Sequence, residues 1–245
     1  MDEAMPAVAI LAGGLATRLR QVTLTIPKSM VEVAGEPFIA HQLRLLSQGG
    51  VRAVVVCAGH LSSQIEDFVE DGSRFGCAVR YSIDGERPLG TGGALRKALP
   101  LLGPDFMVMY GDSYLPIDLR QVYAAFHAAG SDGLMVVFRN EGRFDTSNVD
   151  FADGRIMRYD KRTPAPDMKY IDYGLGVLRR DCLLEFDPDQ PFDLAQLYGR
   201  LAARGVLAGY EVDRRFFEIG SPAGLAETRA FLTDRAPSGG GCKEQ

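Results

Sequence analysis

The sequence predicts an α/β domain, a mixed but mostly parallel sheet flanked by helices in a Rossmann-like arrangement. Three observations predict it. Short β-branched runs alternate with amphipathic stretches through the first half, which is the pattern of βαβ units. The first apolar run stops at a glycine pair, as strands do when they hand the chain to a ligand-facing turn. The chain has 245 residues and is 46% hydrophobic, enough to cover both faces of one sheet.

The elements follow in order. Ala7–Leu11 reads as a buried strand ending before Gly13-Gly14. Phe38 to Ser47 has helical periodicity, with Phe38, Leu43, Leu45 and Leu46 mostly on one side. Val51 to Cys57 is a second strand, Ser62 to Val69 a helix, and Ala78 to Ile83 a third strand. A Gly-rich turn leads to a helix from Gly93 to Leu99, and Phe106–Tyr110 is a fourth strand ending at Gly111-Asp112. The second half has strands at Leu134–Phe138, Asn148–Phe151, Arg155–Tyr159 and Gly174–Leu178, with fewer helices between them. Asp153-Gly154 between two of these runs is a hairpin signal. Leu194–Ala203 and Ala223–Leu232 are helices, the latter preceded by Pro222 at a favoured first-turn position. No repeat or long linker divides the chain, so residues 1–235 are expected to form one domain. The stretch 236–245, with Ser238-Gly239-Gly240-Gly241, is expected to be a disordered tail.

Composition excludes several functions. A net charge of −5 is a poor match for a nucleic-acid surface, which needs clustered Lys and Arg, but leaves room for a local phosphate site. Cys57, Cys77, Cys182 and Cys242 have neither CxxC spacing nor the density of a disulfide scaffold, so reduced thiols are expected. No apolar run reaches the ~18 residues of a membrane span, and Asp2 and Glu3 do not suit a secretory signal. A cytoplasmic protein without a membrane partner is the expectation. His41, His60 and His127 follow no metal-ligand spacing.

The chemistry-bearing residues cluster in motifs. Leu11-Ala12-Gly13-Gly14-Leu15-Ala16-Thr17-Arg18-Leu19 puts a flexible backbone turn beside a permanently charged guanidinium fork, a combination suited to phosphate. It is not a P-loop, because no Gly-Lys-Ser/Thr closes it. Nor is it the dinucleotide fingerprint, whose third glycine is missing. A lone Gly-Gly is often only a tight turn, but the nine-residue pattern is far more specific. Pro27-Lys28 and Gly35-Glu36-Pro37 follow. Asp112, at the carboxyl end of a parallel strand, faces the crevice where such folds bind ligands, and its carboxylate is a hard ligand suited to Mg²⁺.

Taken together, these segments resemble the sugar-1-phosphate nucleotidyltransferases, closest in look to the heptose- and mannose-1-phosphate guanylyltransferases. The resemblance implies the nucleotide-diphospho-sugar transferase fold. It also implies that Leu11, Ala12, Gly13, Gly14 and Thr17 hold nucleotide, while Arg18 and Lys28 contact the triphosphate and the reacting phosphoryl group. Leu89-Gly90-Thr91-Gly92-Gly93-Ala94-Leu95 is similar to the family segment beside the nucleobase, assigning Gly90, Thr91 and Gly92 to it. Tyr159-Asp160-Lys161 resembles the family's Glu-Lys pair, with Lys161 on the sugar phosphate and Asp160 in place of Glu. Asp172-Tyr173-Gly174 aligns with an Asn-Ala-Gly segment, placing Asp172 near sugar hydroxyls. Phe217-Glu218-Ile219-Gly220-Ser221-Pro222 looks like the segment giving the second metal carboxylate, with Glu218 where Asp is usual.

The reaction so implied is attack by a sugar-1-phosphate oxygen on the α-phosphorus of an NTP, with GTP and a heptose- or mannose-type 1-phosphate preferred and Mg²⁺ as cofactor. Arg18, Lys28, Asp112 and Lys161 would carry catalysis, with Asp112 and Glu218 on the metal. The alternatives are uridylyl, thymidylyl or cytidylyl transfer to another sugar phosphate or phosphocholine. A nucleotide-binding regulatory module that has lost catalysis is a further alternative. Glu218 encourages that last reading; the presence of all four catalytic residues opposes it. The sequence leaves open whether the chain forms a homo-oligomer.

Overall fold

A computed structural model describes residues 4–13, 25–85, 87–188 and 190–235. Gly14, Thr17, Arg18 and the expected tail lie outside the described residues. The chain runs from β1 (Ala7–Leu11) to a two-stranded ribbon of β2 (Glu32–Val33) and β3 (Glu36–Pro37), then α1 (Phe38–Gln48) and β4 (Ala53–Ala58). Next come α2 (Ser62–Val69), β5 (Ala78–Ile83), α3 (Gly90–Ala98), β6 (Asp105–Tyr110) and β7 (Ser113–Tyr114). After α4 (Leu119–Ala129) and β8 (Gly133–Arg139), β9 (Val149–Ala152) and β10 (Arg155–Tyr159) form a hairpin. The chain continues through β11 (Tyr170–Arg179), α5 (Asp181–Leu184), α6 (Leu194–Ala203), β12 (Leu207–Val212), β13 (Phe217–Glu218) and α7 (Pro222–Arg235).

Nine strands make one sheet in the order β5-β4-β1-β6-β11-β8-β12-β10-β9. The β5-β4-β1-β6 half is parallel throughout, while β11 runs antiparallel to both its neighbours, β6 and β8. Strand alternation divides the core between the two faces. Val8 and Ile10 pack with Leu43, Ile65 and Phe126 on the α1, α2 and α4 side. Ala9 and Leu11 pack with Leu95, Leu183 and Leu197 on the α3, α5 and α6 side. A smaller cluster of Val31, Val33, Phe38, Ile219 and Leu232 seats α7 against the ribbon.

Local chemistry sets the boundaries. Asp118 accepts N–H bonds from Arg120 and Gln121 to open α4, and Gly130 at φ 59° closes it. Asp153 (φ 49°) and Gly154 (φ 74°) make the expected hairpin turn. The sequence places the start of α3 at Gly93, but the helix begins three residues earlier, at Gly90. The reason is tertiary: the Phe192 carbonyl accepts from Gly92 and Gly93 N–H groups and so holds this glycine-rich first turn in place. Strands β2, β3, β7, β12 and β13 are additions to the sequence reading.

Candidate active site

The site forms where β1 and β6 leave the sheet side by side, with Leu11 opposite Tyr110. Gly111 N–H donates to Leu11 O at 3.0 Å. A Cβ on Gly111 would stand 2.6 Å from that oxygen and 2.9 Å from Ala12 Cα, so only glycine permits the approach. Asp112 follows immediately. Its Oδ2 lies 2.5 Å from Lys28 Nζ, with the two side chains 35% and 16% exposed. This pair joins residues 84 positions apart, so Lys28 is brought to the strand end by the fold.

β13 pairs antiparallel with β7, setting Glu218 opposite Ser113, and Ile219 N–H donates to Asp112 O at 3.0 Å. The Glu218 carboxylate thus arrives beside the Lys28–Asp112 pair. A methyl group on Gly220 would lie 2.7 Å from Glu218 Oε2, 2.8 Å from Lys28 Nζ and 3.4 Å from Asp112 Oδ2. Three charged groups therefore converge on one point, which a glycine keeps free.

A cleft of about 320 Å³ opens from this point, lined among others by Lys28, Asp112, Lys161, Asp172, Asn148 and Glu218. That volume suits a small ligand. Lys161 Nζ sits 5.0 Å from the centroid of the Tyr110 ring, a cation–π distance. Asp172 Oδ2 accepts from the hydroxyls of Tyr110 and Tyr159, both at 3.2 Å, and Asp172 Oδ1 accepts from Gly174 N–H at 2.9 Å. Burial lifts the Asp172 pKa above the ordinary aspartate value, opposed by the Gly174 N–H and the Lys161 charge. Asp160 stands apart from the lining residues. It caps its own turn, accepting from Arg162 N–H, Thr163 N–H and the Thr163 hydroxyl, and the Thr163 bonds hold its pKa low.

On the other side of β1, the segment 89–93 is tied to the start of α6. Thr91 Oγ1 donates to Asp193 Oδ1 at 3.2 Å and accepts from Leu194 N–H at 2.8 Å. A Cβ on Gly92 would fall 2.1 Å from the Phe192 ring, so this glycine serves the packing of a phenyl ring within the protein. Asp84, directly after β5, was not singled out by the sequence. Its Oδ2 accepts from Leu89 N–H at 3.3 Å, its Oδ1 is buried without a hydrogen-bond partner, and burial raises its pKa. The signal that marked Asp112, an acid at the carboxyl end of a parallel strand, is present at Asp84 too. Tyr159 and Asn148 were also missed, because their roles depend on strands meeting across the sheet.

Among the described residues no group of three or more His, Cys, Asp or Glu is arranged for a metal, and no helix is long and apolar enough to cross a membrane. Cys57, Cys77 and Cys182 are buried, and burial pushes the Cys57 thiol up to about 12, so these thiols are packing groups. A larger groove of about 1280 Å³ runs past Arg44, Arg120 and Arg235 and holds none of the site residues.

The nucleotidyl transferase family model matches residues 7–147, which carry β1, Lys28, the 89–93 segment and Asp112. The chain belongs to the nucleotidyl transferase family. This transferase is 29% identical over 220 residues to the D-glycero-alpha-D-manno-heptose 1-phosphate guanylyltransferase of Campylobacter jejuni, covering 87% of the chain and 94% of the relative. It is 30% identical over 244 residues to the N-acetylmuramate alpha-1-phosphate uridylyltransferase of Caulobacter vibrioides, covering 96% and 100%. The solved structure of HddC from Yersinia pseudotuberculosis complexed with GMP-PN superimposes on the transferase with a TM-score of 0.77 at 25% identity, covering 93% of this chain and all of that one.

Proposed function

We propose that this transferase joins the nucleoside monophosphate of GTP to a heptose- or mannose-type sugar 1-phosphate and releases pyrophosphate. The observation that carries this reading is the meeting of Lys28, Asp112, Lys161 and Asp172 in one cleft at the ends of β1 and β6. The Campylobacter relative and the GMP-PN complex support guanine.

The nucleophile, a sugar-phosphate oxygen, is already anionic and needs no general base. The obstacle is repulsion between two polyanions, roughly 1 kcal/mol per charge pair at 4 Å in water and about 4 at an effective dielectric of 20. Lys28 lies where it can turn from Asp112 to a triphosphate oxygen, and Lys161 lies where it can take the sugar phosphate. Arg18 is assigned to the triphosphate with Lys28. The Asp112 carboxylate is a hard donor of the kind Mg²⁺ takes alongside substrate phosphates, and Glu218 adds a second negative charge beside it, so the site fits a divalent cation at Asp112. Such an ion, when bound, supplies further positive charge for the α-phosphoryl group. The protein's part is to hold two anions in line and to neutralise them with fixed cations. Asp172, braced by Tyr110 and Tyr159, is assigned to the sugar hydroxyls.

Uridylyl transfer to an N-acetylmuramic-acid-type phosphate is the second reading, favoured by the full-length match to the Caulobacter relative. Initial rates of pyrophosphate release separate them, with GTP, UTP, CTP and dTTP tested against a panel of sugar 1-phosphates and phosphocholine, with Mg²⁺ and with EDTA. The guanylyl reading expects GTP with one heptose or mannose 1-phosphate to exceed every other pair. UTP with an N-acetylmuramic-acid-type 1-phosphate in first place overturns it in favour of the second, and any other UTP, CTP or dTTP pair in first place overturns both.

A further inference from the structure

Glu218 stands where the family resemblance expects an aspartate, and its extra methylene has a visible destination. The carboxylate lies over the first turn of α7. Its Oε2 accepts from the N–H groups of Gly220 and Ser221, the latter at 3.2 Å, and its Oε1 accepts from the Ser221 hydroxyl at 2.6 Å. Ser221 Oγ in turn accepts from Gly224 N–H at 3.0 Å. The Thr228 hydroxyl, one turn further along α7, donates to the Glu218 carbonyl at 2.8 Å. Both carboxylate oxygens are thus engaged by the two residues that lead into α7, at the helix end whose dipole favours a negative charge.

Gly224 completes the arrangement. A Cβ there would lie 1.8 Å from Glu218 Oε1 and 2.4 Å from its Cδ. The glutamate can occupy this position only because residue 224 has no side chain. A shorter aspartate at 218 would draw the carboxylate back from that space by one methylene. The backbone of the same residue is hydrogen-bonded through β13 to β7, directly after Asp112.

We propose that Glu218 is a positioning residue: it holds Ser221 as the cap of α7, locks β13 against the Asp112 strand end, and leaves Asp112 as the carboxylate of this pair that touches a divalent cation. This rests, for its cation half, on the nucleotidyl-transfer reading of the cleft. The cap half does not.

Two measurements test it. The first is a double-mutant cycle read by thermal unfolding of the protein without ligands. Gly224→Ala lowers the midpoint by several degrees in the wild-type background, because the new methyl collides with the glutamate. In the Glu218→Asp background the same change costs clearly less, since only the collision with the residue 218 carbonyl oxygen, 2.7 Å from the new Cβ, remains. Equal effects of Gly224→Ala in both backgrounds overturn the cap. The second is Mn²⁺ binding to the protein in complex with whichever of GTP, UTP, CTP and dTTP it binds most tightly, followed by electron paramagnetic resonance. Glu218→Gln, which keeps the length and an acceptor oxygen, weakens Mn²⁺ by less than about tenfold, whereas Asp112→Asn weakens it by about a hundredfold or more. A loss for Glu218→Gln as large as for Asp112→Asn makes Glu218 a direct ligand and overturns the cation half. Wild-type protein that binds Mn²⁺ with none of GTP, UTP, CTP and dTTP defeats the cation half and the nucleotidyl-transfer reading together, while the unfolding cycle still decides the cap.

Discussion

At the scale of single residues, the Lys28–Asp112 pair is the centre of the site. An exposed ion pair contributes little to stability, and this one is only partly buried, so its value lies in the charges it holds at the strand ends. Asp112→Asn is therefore expected to lower turnover about a thousandfold while leaving the unfolding midpoint near the wild-type value. Pyrophosphate release and a thermal melt on the same sample check this. Near-wild-type turnover would remove Asp112 from the chemistry. Asp84 gives a pH dependence of stability. Burial raises its pKa above the ordinary 3.8 in the folded chain, so over the window between the two values the folded state binds the proton more tightly than the unfolded one. That contribution is present at low pH and is lost as pH rises through the raised value. Relative to Asp84→Asn, wild-type stability in urea should fall between pH 4 and pH 7; a constant difference would show that the folded carboxyl titrates normally.

At the scale of elements, short segments near strand ends do most of the positioning. α3 starts at Gly90 because Phe192 and Asp193, about a hundred residues later, supply the partners for its first turn. Gly92→Ala pushes a methyl into the Phe192 ring and is expected to cost about 1–3 kcal/mol in urea unfolding, a typical figure for overpacking. An unchanged midpoint would mean that the ring yields freely. This explains why the helix boundary was misread. Glycine lowers local helix propensity, and nothing within eleven residues reveals the compensating carbonyl. The strands of the parallel half, by contrast, were legible because burial on both faces makes each a continuous apolar run, as in Val54–Val56. The Asp153-Gly154 hairpin was legible for a local reason too, since its turn needs two positive φ angles.

At the scale of the whole molecule, the sheet order converts motifs scattered from Lys28 to Glu218 into one cleft. Lys28, Asp112, Lys161 and Asp172 could be named from the sequence because each sits in a short motif. Tyr110 and Tyr159 could not be assigned to Asp172, because their hydroxyls reach it only once β6, β10 and β11 are folded together. The destination of the Glu218 carboxylate was equally hidden, since it depends on Gly224 and on where α7 begins. The reading proposed for this cleft is that an oxygen of the sugar phosphate attacks the α-phosphorus of the nucleotide. The most direct test uses a sugar 1-phosphate whose phosphate oxygens carry ¹⁸O, with the nucleotide and sugar pair that turns over fastest. Mass spectrometry should find the label in the nucleotide sugar, bridge oxygen included, and none in the released pyrophosphate. Label in the pyrophosphate, or no nucleotide sugar with any pair, would contradict nucleotidyl transfer at this cleft.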